Sequence, residues 1–402
     1  METRPPLTVE AVVVGAGPTG LTAAIALAEA GIPAALVAPA SAPDNRTTAL
    51  LAGSVTALDT LGVWARCAAA AAPLRTMRIV DATSRLIRAP EVSFSADEIG
   101  LEAFGYNIQN SDLLAALESR SAELPSLRRL NEEAAAVEAA PDRVTVRTAT
   151  EAISARLIVA ADGRRSLCRE AAGIDSSGTR YPQTALTFNL RHTRPHHDTS
   201  TEFHTEHGPF TLVPLPGQRS SLVWVMEPSD AERISALDDE TVAGEIEHRS
   251  HSILGKIELE PGRGMFPLAV ETARAFARNR IALLGEAAHL IPPIGAQGLN
   301  LGLRDAAAIA ELAAEAHRDG ADIGAPDLFS RYDRDRRADT ASRTLAVDVL
   351  NRSLLSDFLP LQGARGLGLY LIDRIGPLRR ALMREGVAPA SARPRLMRGE
   401  AL

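Results

Sequence analysis

The spacing of apolar and polar residues changes along the chain and predicts two kinds of structural unit. In the first kind, a short continuous apolar run is followed by a glycine-containing turn and then by a helical pattern. Val12, Val13 and Val14 form such a run, and the helix-forming stretch LTAAIALAEAG (21–31) follows and ends in Gly31. A β-branched run of this kind is typical of a parallel strand buried on both faces, and glycine is favoured just past the end of a helix.

The same unit recurs twice further along the chain. The runs ARLIVAADG (155–163) and RIALLG (280–285) have the pattern of buried strands, and the stretches RRSLCREAAG (164–173) and QGLNLGLRDAAAIAELAAEAH (297–317) have the pattern of helices. Repeated strand–turn–helix units predict an α/β fold with a parallel sheet. Because ligands of such sheets bind where the carboxyl ends of the strands meet, the turns after these strands are candidate functional positions.

The second kind of unit alternates apolar and polar residues with a period of two, which is typical of antiparallel strands with one covered face. It occurs in MRIVDATSRLIR (77–88), TALTFNL (184–190), GPFTLVPL (208–215) and SSLVWVM (220–226). We therefore expect a discontinuous cofactor-type domain, interleaved with a mostly antiparallel-sheet domain and followed by a helical C-terminus. The expected boundaries are 1–75, 101–172 and 271–325 for the first domain, 76–100 and 173–270 for the second, and 326–402 for the helical region.

The turn after the first strand, GAGPTG, is a candidate phosphate-binding site. Gly15, Gly17 and Gly20 match the pattern G-x-G-x-x-G, with Pro18 and Thr19 between the second and third glycines. In this pattern the first glycine allows a tight turn, the second lets the backbone approach a pyrophosphate, and the third lets the helix pack on the strand. Free N–H groups at the start of the helix then face the anion. The alternative, a structural turn without a ligand, is disfavoured by the strand–turn–helix context.

One part of the usual dinucleotide-binding pattern is missing. The second strand, AALVA (34–38), is expected to end in an acidic residue that holds the adenosine ribose, but it ends in Ala38. The nearest acidic residue, Asp44, lies in the loop that follows. We therefore expect the ribose to be held in another way, or less tightly.

The segment LLGEAAHLIPPIGAQGLN (283–300) predicts a second wall for the same site. Glu286 follows the end of a strand, Pro292 and Pro293 stiffen the loop, and a long helix comes next. A helix N-terminus beside an electron-accepting ring stabilises negative charge on that ring. Asp162 follows another buried strand and is expected at the same crevice. A ligand that spans both walls is long, and FAD fits this arrangement better than NAD.

Three motifs in this order, GAGPTG, AADGRRS and LLGEAAHLIPPIGAQGLN, resemble those of the single-component FAD-dependent aromatic hydroxylases. Three further stretches (105–117, 208–224 and 332–354) are similar to the subgroup that hydroxylates rings in ubiquinone biosynthesis. The resemblance covers nearly the whole chain. It implies a Rossmann-like FAD-binding domain with a parallel sheet, and a second sheet that forms a roof over the flavin ring.

The resemblance also implies FAD-binding roles for residues at matching positions. The glycines of GAGPTG would approach the pyrophosphate, Arg46 would reach it from outside, and Pro293 would border the flavin ring together with the backbone that follows. The family usually has Asp where this chain has Glu286, and an acid where it has Ala38; either departure could weaken FAD affinity. The expected cofactor-binding residues are Gly15, Gly17, Pro18, Thr19, Gly20, Arg46, Gln109, Asn110, Asp162, Glu286, Pro293, Gly295, Gly298, Leu299 and Asn300.

The activity implied by the resemblance is that of an FAD-dependent monooxygenase, which hydroxylates a phenolic ring with O₂ and uses NAD(P)H as co-substrate. The sequence has no second G-x-G-x-x-G, so we expect the nicotinamide cofactor to visit the surface transiently. No side chain is assigned as catalytic, because a flavin carries the chemistry and the protein supplies orientation. The expected substrate is a ubiquinone precursor with a lipid tail. The alternatives are a reductase or halogenase on the same fold, and a non-catalytic scaffold in a quinone-biosynthesis complex.

Composition and charge argue against several other classes of protein. The chain has 402 residues, 46% of them hydrophobic, and a net charge of −7, which argues against nucleic-acid binding. Cys67 and Cys168 form no disulfide framework, and METRPPLTVE lacks the apolar core of a signal peptide, so we expect a cytoplasmic protein. His204 and His207 have the spacing of half a metal site. We expect no metal there, because the stretch around them fits a solvated loop and edge strand better.

The C-terminal residues 360–398 are a candidate contact surface, with eight arginines against two carboxylates. A basic amphipathic helix could lie on an anionic membrane, at its inner face, or contact a biosynthetic complex. The alternative, which we favour, is a helix packed on its own catalytic domain with its arginines in water, because Gly368 and Pro377 interrupt the pattern. Apolar residues recur in this region at helical spacing, at Leu367, Leu371, Ile375, Leu378 and Leu382.

Overall fold

The computed structural model describes residues 6–40, 44–84, 88–293, 295–355, 374–387 and 393–402. The strands within these ranges are β1 (Leu7–Thr8), β2 (Ala11–Val14), β3 (Ala34–Val37), β4 (Thr47–Leu51), β5 (Ala72–Pro73), β6 (Thr76–Asp81), β7 (Val92–Ser95), β8 (Gly105–Gln109), β9 (Leu127–Leu130), β10 (Ala136–Ala139), β11 (Val144–Arg147), β12 (Ala152–Ala155), β13 (Leu157–Ala160), β14 (Ser176–His192), β15 (Thr199–Thr205), β16 (Gly208–Leu215), β17 (Arg219–Met226), β18 (Ile257–Leu259), β19 (Gly264–Ala273), β20 (Ala277–Arg278), β21 (Ile281–Leu283) and β22 (His289–Leu290). The helices are α1 (Pro18–Glu29), α2 (Ala52–Thr60), α3 (Asn110–Ser121), α4 (Leu167–Ala171), α5 (Pro228–Ser235), α6 (Asp239–Arg249), α7 (Gln297–Arg318), α8 (Pro326–Leu355) and α9 (Gly376–Val387).

The first large sheet has six strands in the order β20-β21-β13-β2-β3-β9. Five of these strands are parallel to one another, and β20 pairs antiparallel with β21 at one edge. Every residue of β2, β3 and β13 is buried, as expected for short apolar runs in a parallel sheet with both faces covered. The structure therefore confirms the predicted α/β fold.

Helix α1 ends where the sequence predicted. Gly31 has a φ of +76°, in the left-handed region that favours glycine. The N–H of Gly31 donates to the carbonyl of Ala28, and the N–H of Ile32 donates to that of Leu27, each over 3.0 Å. This pair of bonds satisfies carbonyls that the helix end would leave without partners.

The second large sheet has nine strands in the order β22-β19-β14-β17-β16-β15-β6-β7, with β18 beside β14. Alternate side chains of its strands form a core with helices α5 and α6 on one face, which includes Phe188, Leu222, Trp224 and Ile246. Alternation with a period of two therefore sends the side chains between them to the opposite face. We call that opposite face the inner face.

The inner face is turned toward the half of the molecule that contains the parallel sheet. Thr47 of β4 donates to the hydroxyl of Ser221 on β17 over 2.8 Å, and the amide of Asn107 on β8 donates to the carbonyl of Pro214 over 2.9 Å. Strands β4, β8 and β5 form a small sheet of their own. This small sheet thus connects the two large sheets.

The histidine-rich stretch includes a largely exposed loop at 193–198, as predicted, but the strand that follows is not an edge strand, so that part of the prediction was wrong. β15 lies within the large sheet, between β16 and β6. His204 is buried, and its Nε2 lies 2.8 Å from the carboxylate of Glu202. His207 is about half exposed and lies beside Glu227. The prediction failed because alternation identifies a strand but does not identify its neighbours in a sheet.

Helix α9 packs on the rest of the protein through one side. The guanidinium of Arg379 binds Glu98 over 2.6 Å and lies over the ring of Phe94, and Met383 is buried. Arg374 is helical, Ile375 is not, and α9 begins at Gly376 with Pro377 in its first turn, so the helical pattern is interrupted just before Pro377, as predicted. Ile375, Leu378 and Leu382 are exposed, and Leu367 and Leu371 lie outside the described residues.

The described part of the chain contains no helix that is both long enough and apolar enough to cross a membrane.

Candidate functional site

The turn between β2 and α1 requires glycine at two positions for steric reasons. Gly15 has a φ of +103°, and a Cβ atom on it would lie 2.2 Å from the carbonyl oxygen of Ala161. A Cβ atom on Gly20 would lie 1.9 Å from the carbonyl oxygen of Gly15. Both distances are far below van der Waals contact. Gly15 therefore lets β2 turn beside β13, and Gly20 lets α1 pack onto that turn, in the roles that the sequence predicted.

Gly17 differs from these two glycines because none of the described residues restricts it. No atom of the described residues lies within 4 Å of a Cβ atom built on Gly17, and its φ of −68° is open to any residue. It is the N-cap of α1, no side chain caps the helix, and Pro18 occupies the first turn. The first N–H groups of α1 therefore face open space, where an anion can accept their hydrogen bonds.

Asp162 lies beside this turn, at the carboxyl end of β13. A Cβ atom on Gly15 would lie 2.9 Å from the backbone nitrogen of Asp162. Oδ2 of Asp162 accepts a hydrogen bond from the N–H of Cys168 over 3.0 Å. Oδ1 is buried and has no partner among the described residues. A buried carboxylate oxygen without a partner is costly, so it fits a hydroxyl donor supplied by a ligand such as FAD.

The two walls predicted from the sequence are in direct contact through Thr19. A Cβ atom on Gly302 of α7 would lie 2.5 Å from the hydroxyl oxygen of Thr19, and one on Gly285 would lie 3.3 Å from it. Gly285 has a φ of +55°. Helix α7 and the Gly285 turn can approach α1 this closely because both positions lack a side chain.

Glu286 projects from the second wall and is exposed. No hydrogen bond or ion pair to its carboxylate is formed by the residues that the structure describes, but its charge contributes to raising the pKa of Arg46. Ala38, on the side of the first wall, is buried. Glu286 is therefore an acid available at the crevice, whereas position 38 offers no polar group for a ribose.

Arg46 and Asn110 both bind Asp44, the nearest acid in the sequence to Ala38, where a ribose-binding acid was expected. The guanidinium of Arg46 makes two bonds to the carboxylate, at 2.8 and 2.7 Å, and the amide of Asn110 donates to it over 2.9 Å. Partial burial opposes ionisation of Asp44, but these bonds outweigh it and lower the pKa of Asp44 to about 2. Arg46 also lies over the ring of Phe266, 5.2 Å from its centroid.

Gln109 precedes Asn110 but lies against a different feature. Its side-chain oxygen accepts a hydrogen bond from Arg219 over 3.3 Å. Together with Asn45, Asn189 and Glu260 it lines a polar cavity of about 320 Å³. Of the two residues predicted from this helix start, Asn110 therefore contacts the Asp44–Arg46 pair and Gln109 contacts the second large sheet.

The start of α7 presents backbone to the crevice. Ala296, its N-cap, has a φ of +54°, and no atom of the residues that the structure describes lies within 4 Å of a Cβ atom built on Gly298. Asn300 is buried, and its amide makes four hydrogen bonds. Asn300 therefore anchors α7, and only its backbone is left for a ligand. The four bonds join the amide to the carbonyls of Ala49 and Ala296, the N–H of Leu51 and the hydroxyl of Ser54.

The other predicted residues of this wall lie on the same stretch. Pro293 is exposed, Leu299 is partly buried, and Gly295 has a φ of +68°. Carbonyl and N–H groups of such a stretch can approach a planar ring closely, because proline and glycine offer little side-chain bulk there.

Sequence reasoning missed a buried charged group behind the second wall. Asp305 of α7 is fully buried and binds His289 and Arg336, both of them buried as well. Burial disfavours the ionised form of Asp305, but these two partners outweigh it and hold its pKa below the ordinary value. The available signal was the position of Asp305, four residues from both Leu301 and Ile309 on the apolar side of the helical pattern.

Comparisons with known proteins show the family of the chain. The model of a family described as "FAD binding domain" matches residues 8–345. The chain is 35% identical to the ubiquinone hydroxylase UbiL of Rhodospirillum rubrum, over 97% of this chain and 92% of that protein. It is 30% identical to the 3-demethoxyubiquinol 3-hydroxylase of Escherichia coli, over 93% and 97% of the two chains. The crystal structure of p-nitrophenol 4-monooxygenase PnpA from Pseudomonas putida superposes with a TM-score of 0.78, at 20% identity and with 96% and 100% coverage, which shows the fold.

Proposed function

The chain belongs to the FAD-dependent aromatic hydroxylases, in the subgroup of ubiquinone-biosynthesis hydroxylases, and on that basis we propose that it hydroxylates the ring of a polyprenylated ubiquinone precursor. FAD is its cofactor, O₂ supplies the oxygen atom, and NAD(P)H is the co-substrate. The names of the two relatives support the ubiquinone-related substrate.

The observation that carries the proposal is the pairing of an open position with an unpartnered polar group. In the described part of the chain, nothing fills the space beside Gly17 at the start of α1, and the buried Oδ1 of Asp162 has no partner. Both lie at the carboxyl ends of neighbouring parallel strands, where ligands of such sheets bind. A pyrophosphate at α1 and a hydroxyl group at Asp162 would satisfy both.

We propose that each part of the chain has a limited task in the reaction. The bound flavin supplies the redox chemistry, and the residues around it bind and orient the flavin and exclude water. The N–H groups of α1 hold the pyrophosphate, and the backbone around Pro293 and Gly298 borders the ring. On the inner face, Ala185, Val225 and Leu268 form a small buried apolar cluster.

The proposed division into domains keeps the boundaries expected from the sequence. Residues 1–75, 101–172 and 271–325 would form the FAD-binding domain, and 76–100 and 173–270 the substrate domain with the inner face as its roof. Residues 326–402 would then form a separate helical region. The support is that the parallel sheet draws its strands from the first group and most of the large antiparallel sheet from the second.

We also propose that the protein works in the cytoplasm, with α9 at the inner face of the membrane. Ile375, Leu378 and Leu382 are exposed, and Arg380 and Arg384 are exposed on the same short helix. Apolar side chains with arginines beside them suit the boundary of an anionic lipid layer. A substrate with a lipid tail would be reached from that position.

The experiment that tests the function starts with the visible absorption spectrum of the purified protein, before and after addition of FAD. A flavin band that survives desalting is expected. The protein is then incubated with a short-chain polyprenyl phenol, O₂ and either NADH or NADPH, and the masses of the products are measured by mass spectrometry.

The expected product carries one additional oxygen atom, and its amount matches the substrate-dependent oxidation of NAD(P)H. A protein that takes up no FAD would contradict the proposed cofactor site. Uptake of FAD with no oxygenated product from any polyprenyl phenol would contradict the proposed substrate, and a halogenated product would indicate a halogenase.

A further inference from the structure

A buried network of charged side chains lies behind the second wall of the crevice. At its centre is Asp305 of α7, which is fully buried. Its Oδ2 accepts hydrogen bonds from the backbone N–H of Gly285 over 3.0 Å and from Nε2 of His289 over 2.7 Å. Its Oδ1 accepts one from Nε of Arg336 over 2.7 Å. One carboxylate thus binds both ends of the turn that carries Glu286.

Arg336 connects this carboxylate to helix α8. It is buried, and its second nitrogen donates to Asp339 over 2.7 Å. Asp339 also binds Arg304 of α7 over 2.7 Å. The third guanidinium nitrogen of Arg336 has no partner among the described residues. The orientation of Asp305 is therefore fixed from α8, and not by α7 alone.

The stability of the fold does not account for this network. A buried ionic network is often no more stabilising than apolar side chains of the same volume, because desolvation offsets much of the attraction. In contrast, the segment 285–296 needs bonds that hold it in place. Among its described residues, strand pairing is limited to β22, which pairs with β19, and the carbonyls of Ala287 and Ala288 accept one bond each, from Arg169 and from the N–H of Ala273. The bonds from Asp305 supply constraints on this segment that a short ladder cannot.

We propose that Asp305, oriented by Arg336, is the positioning residue of the cofactor-facing segment 285–296. Through the N–H of Gly285 and the ring of His289, it holds Glu286 and the loop after it at the distance from α1 at which FAD is bound. The proposal deepens the function proposed above, but it rests only on FAD binding and not on the substrate.

Two variants separate positioning from a merely structural role. His289→Phe keeps a ring that can pack on Phe276 and removes one donor to Asp305. Tyr332→Phe is the matched control. It removes a buried hydrogen bond between helix α8 and strand β21, from the Tyr332 hydroxyl to the carbonyl of Leu283 over 2.9 Å, and Tyr332 makes no hydrogen bond to Asp305. Asp305→Asn is the more direct change, but it leaves Arg336 without its counter-charge, so its folding must be checked first.

The measurements are the FAD dissociation constant from flavin fluorescence, the position of the long-wavelength flavin absorption band, and the melting temperature of the apoprotein. We expect His289→Phe to raise the dissociation constant about tenfold, the scale on which residues that orient a binding group act. It should also shift the flavin band. Tyr332→Phe should leave the dissociation constant and the flavin band unchanged within error, even if it lowers the melting temperature as much as His289→Phe does.

Two results would overturn the inference: an unchanged dissociation constant and band in His289→Phe, or losses of affinity in both variants that simply follow their melting temperatures. Because no substrate is present, these results are independent of what the enzyme hydroxylates. A wild-type protein that binds no FAD would instead contradict the proposed function itself.

Discussion

Replacing Gly17 by alanine should weaken FAD binding without harming the fold. The φ of −68° at this position is one that alanine adopts freely, and the added methyl group meets no protein atom within 4 Å. A Gly→Ala change at a compatible position usually stabilises a protein by about 0.4–1 kcal/mol, because the unfolded chain loses freedom. The apoprotein of Gly17→Ala should therefore melt at the wild-type temperature or slightly above it.

The same methyl group occupies the space through which a pyrophosphate reaches the first N–H groups of α1. Moving the anion away loses at least one hydrogen bond to a charged group, and such a bond is worth about 1.5–3 kcal/mol. The FAD dissociation constant should then rise about 10- to 150-fold. Gly20→Ala should behave differently, because its methyl group would lie 1.9 Å from the carbonyl oxygen of Gly15 and would disturb the fold itself.

The assay is a fluorescence titration of apoprotein with FAD, together with thermal melting of the apoprotein. Gly244→Ala is a suitable control. Gly244 is an exposed residue in helix α6, and a Cβ atom on it likewise meets nothing within 4 Å. If Gly17→Ala binds FAD as tightly as Gly244→Ala does, the pyrophosphate does not lie at this turn. A large fall in the melting temperature of Gly17→Ala would show that the space beside Gly17 is not open.

Three further predictions concern the acids of the crevice and the C-terminal helix. Glu286→Asp should tighten FAD binding in the same titration without changing apoprotein stability, because the side chain is exposed and the sequence resemblance implies Asp at this position; unchanged affinity would count against a role for this acid. Asp44→Asn should lower the free energy of unfolding at pH 7 by about 1–2 kcal/mol. Since the pKa of Asp44 is lowered from 3.8 to about 2, its contribution is complete above pH 3.8 and lost as the pH falls toward 2, so urea denaturation of the wild type and variant should converge over that interval. The double variant Leu378→Ser/Leu382→Ser should sediment less with anionic vesicles, and equal sedimentation would contradict the proposed membrane contact.

The glycine turn could be read from the sequence because its requirements are local. Gly15 and Gly20 are needed for contacts with residues that follow directly in the strand–turn–helix unit or in the neighbouring parallel strand. The strands of the parallel sheet were recognisable for a similar reason, since a run that is buried on both faces must be apolar throughout. Fold class and the first wall therefore follow from short windows of sequence.

Other features depend on which distant segments meet, and short windows do not contain that information. Asp305 can be buried because Arg336 lies beside it, and nothing in the pattern around either residue names the other as its partner. β15 was taken for an edge strand because its order in the sheet is set by β6, more than a hundred residues away.

The order of strands in the parallel sheet has a consequence for the synthesis of the protein. β2 and β3 are complete by residue 37, but β13, the other neighbour of β2, ends only at residue 160, and β21 ends at residue 283. During translation, β2 therefore has an apolar edge without a partner for more than a hundred residues, a state that is prone to aggregation. The second wall of the crevice is made later still, because α7 extends to residue 318. FAD should then be captured only after α7 has been made, so the glycine turn remains without its ligand until residue 318 has been synthesised.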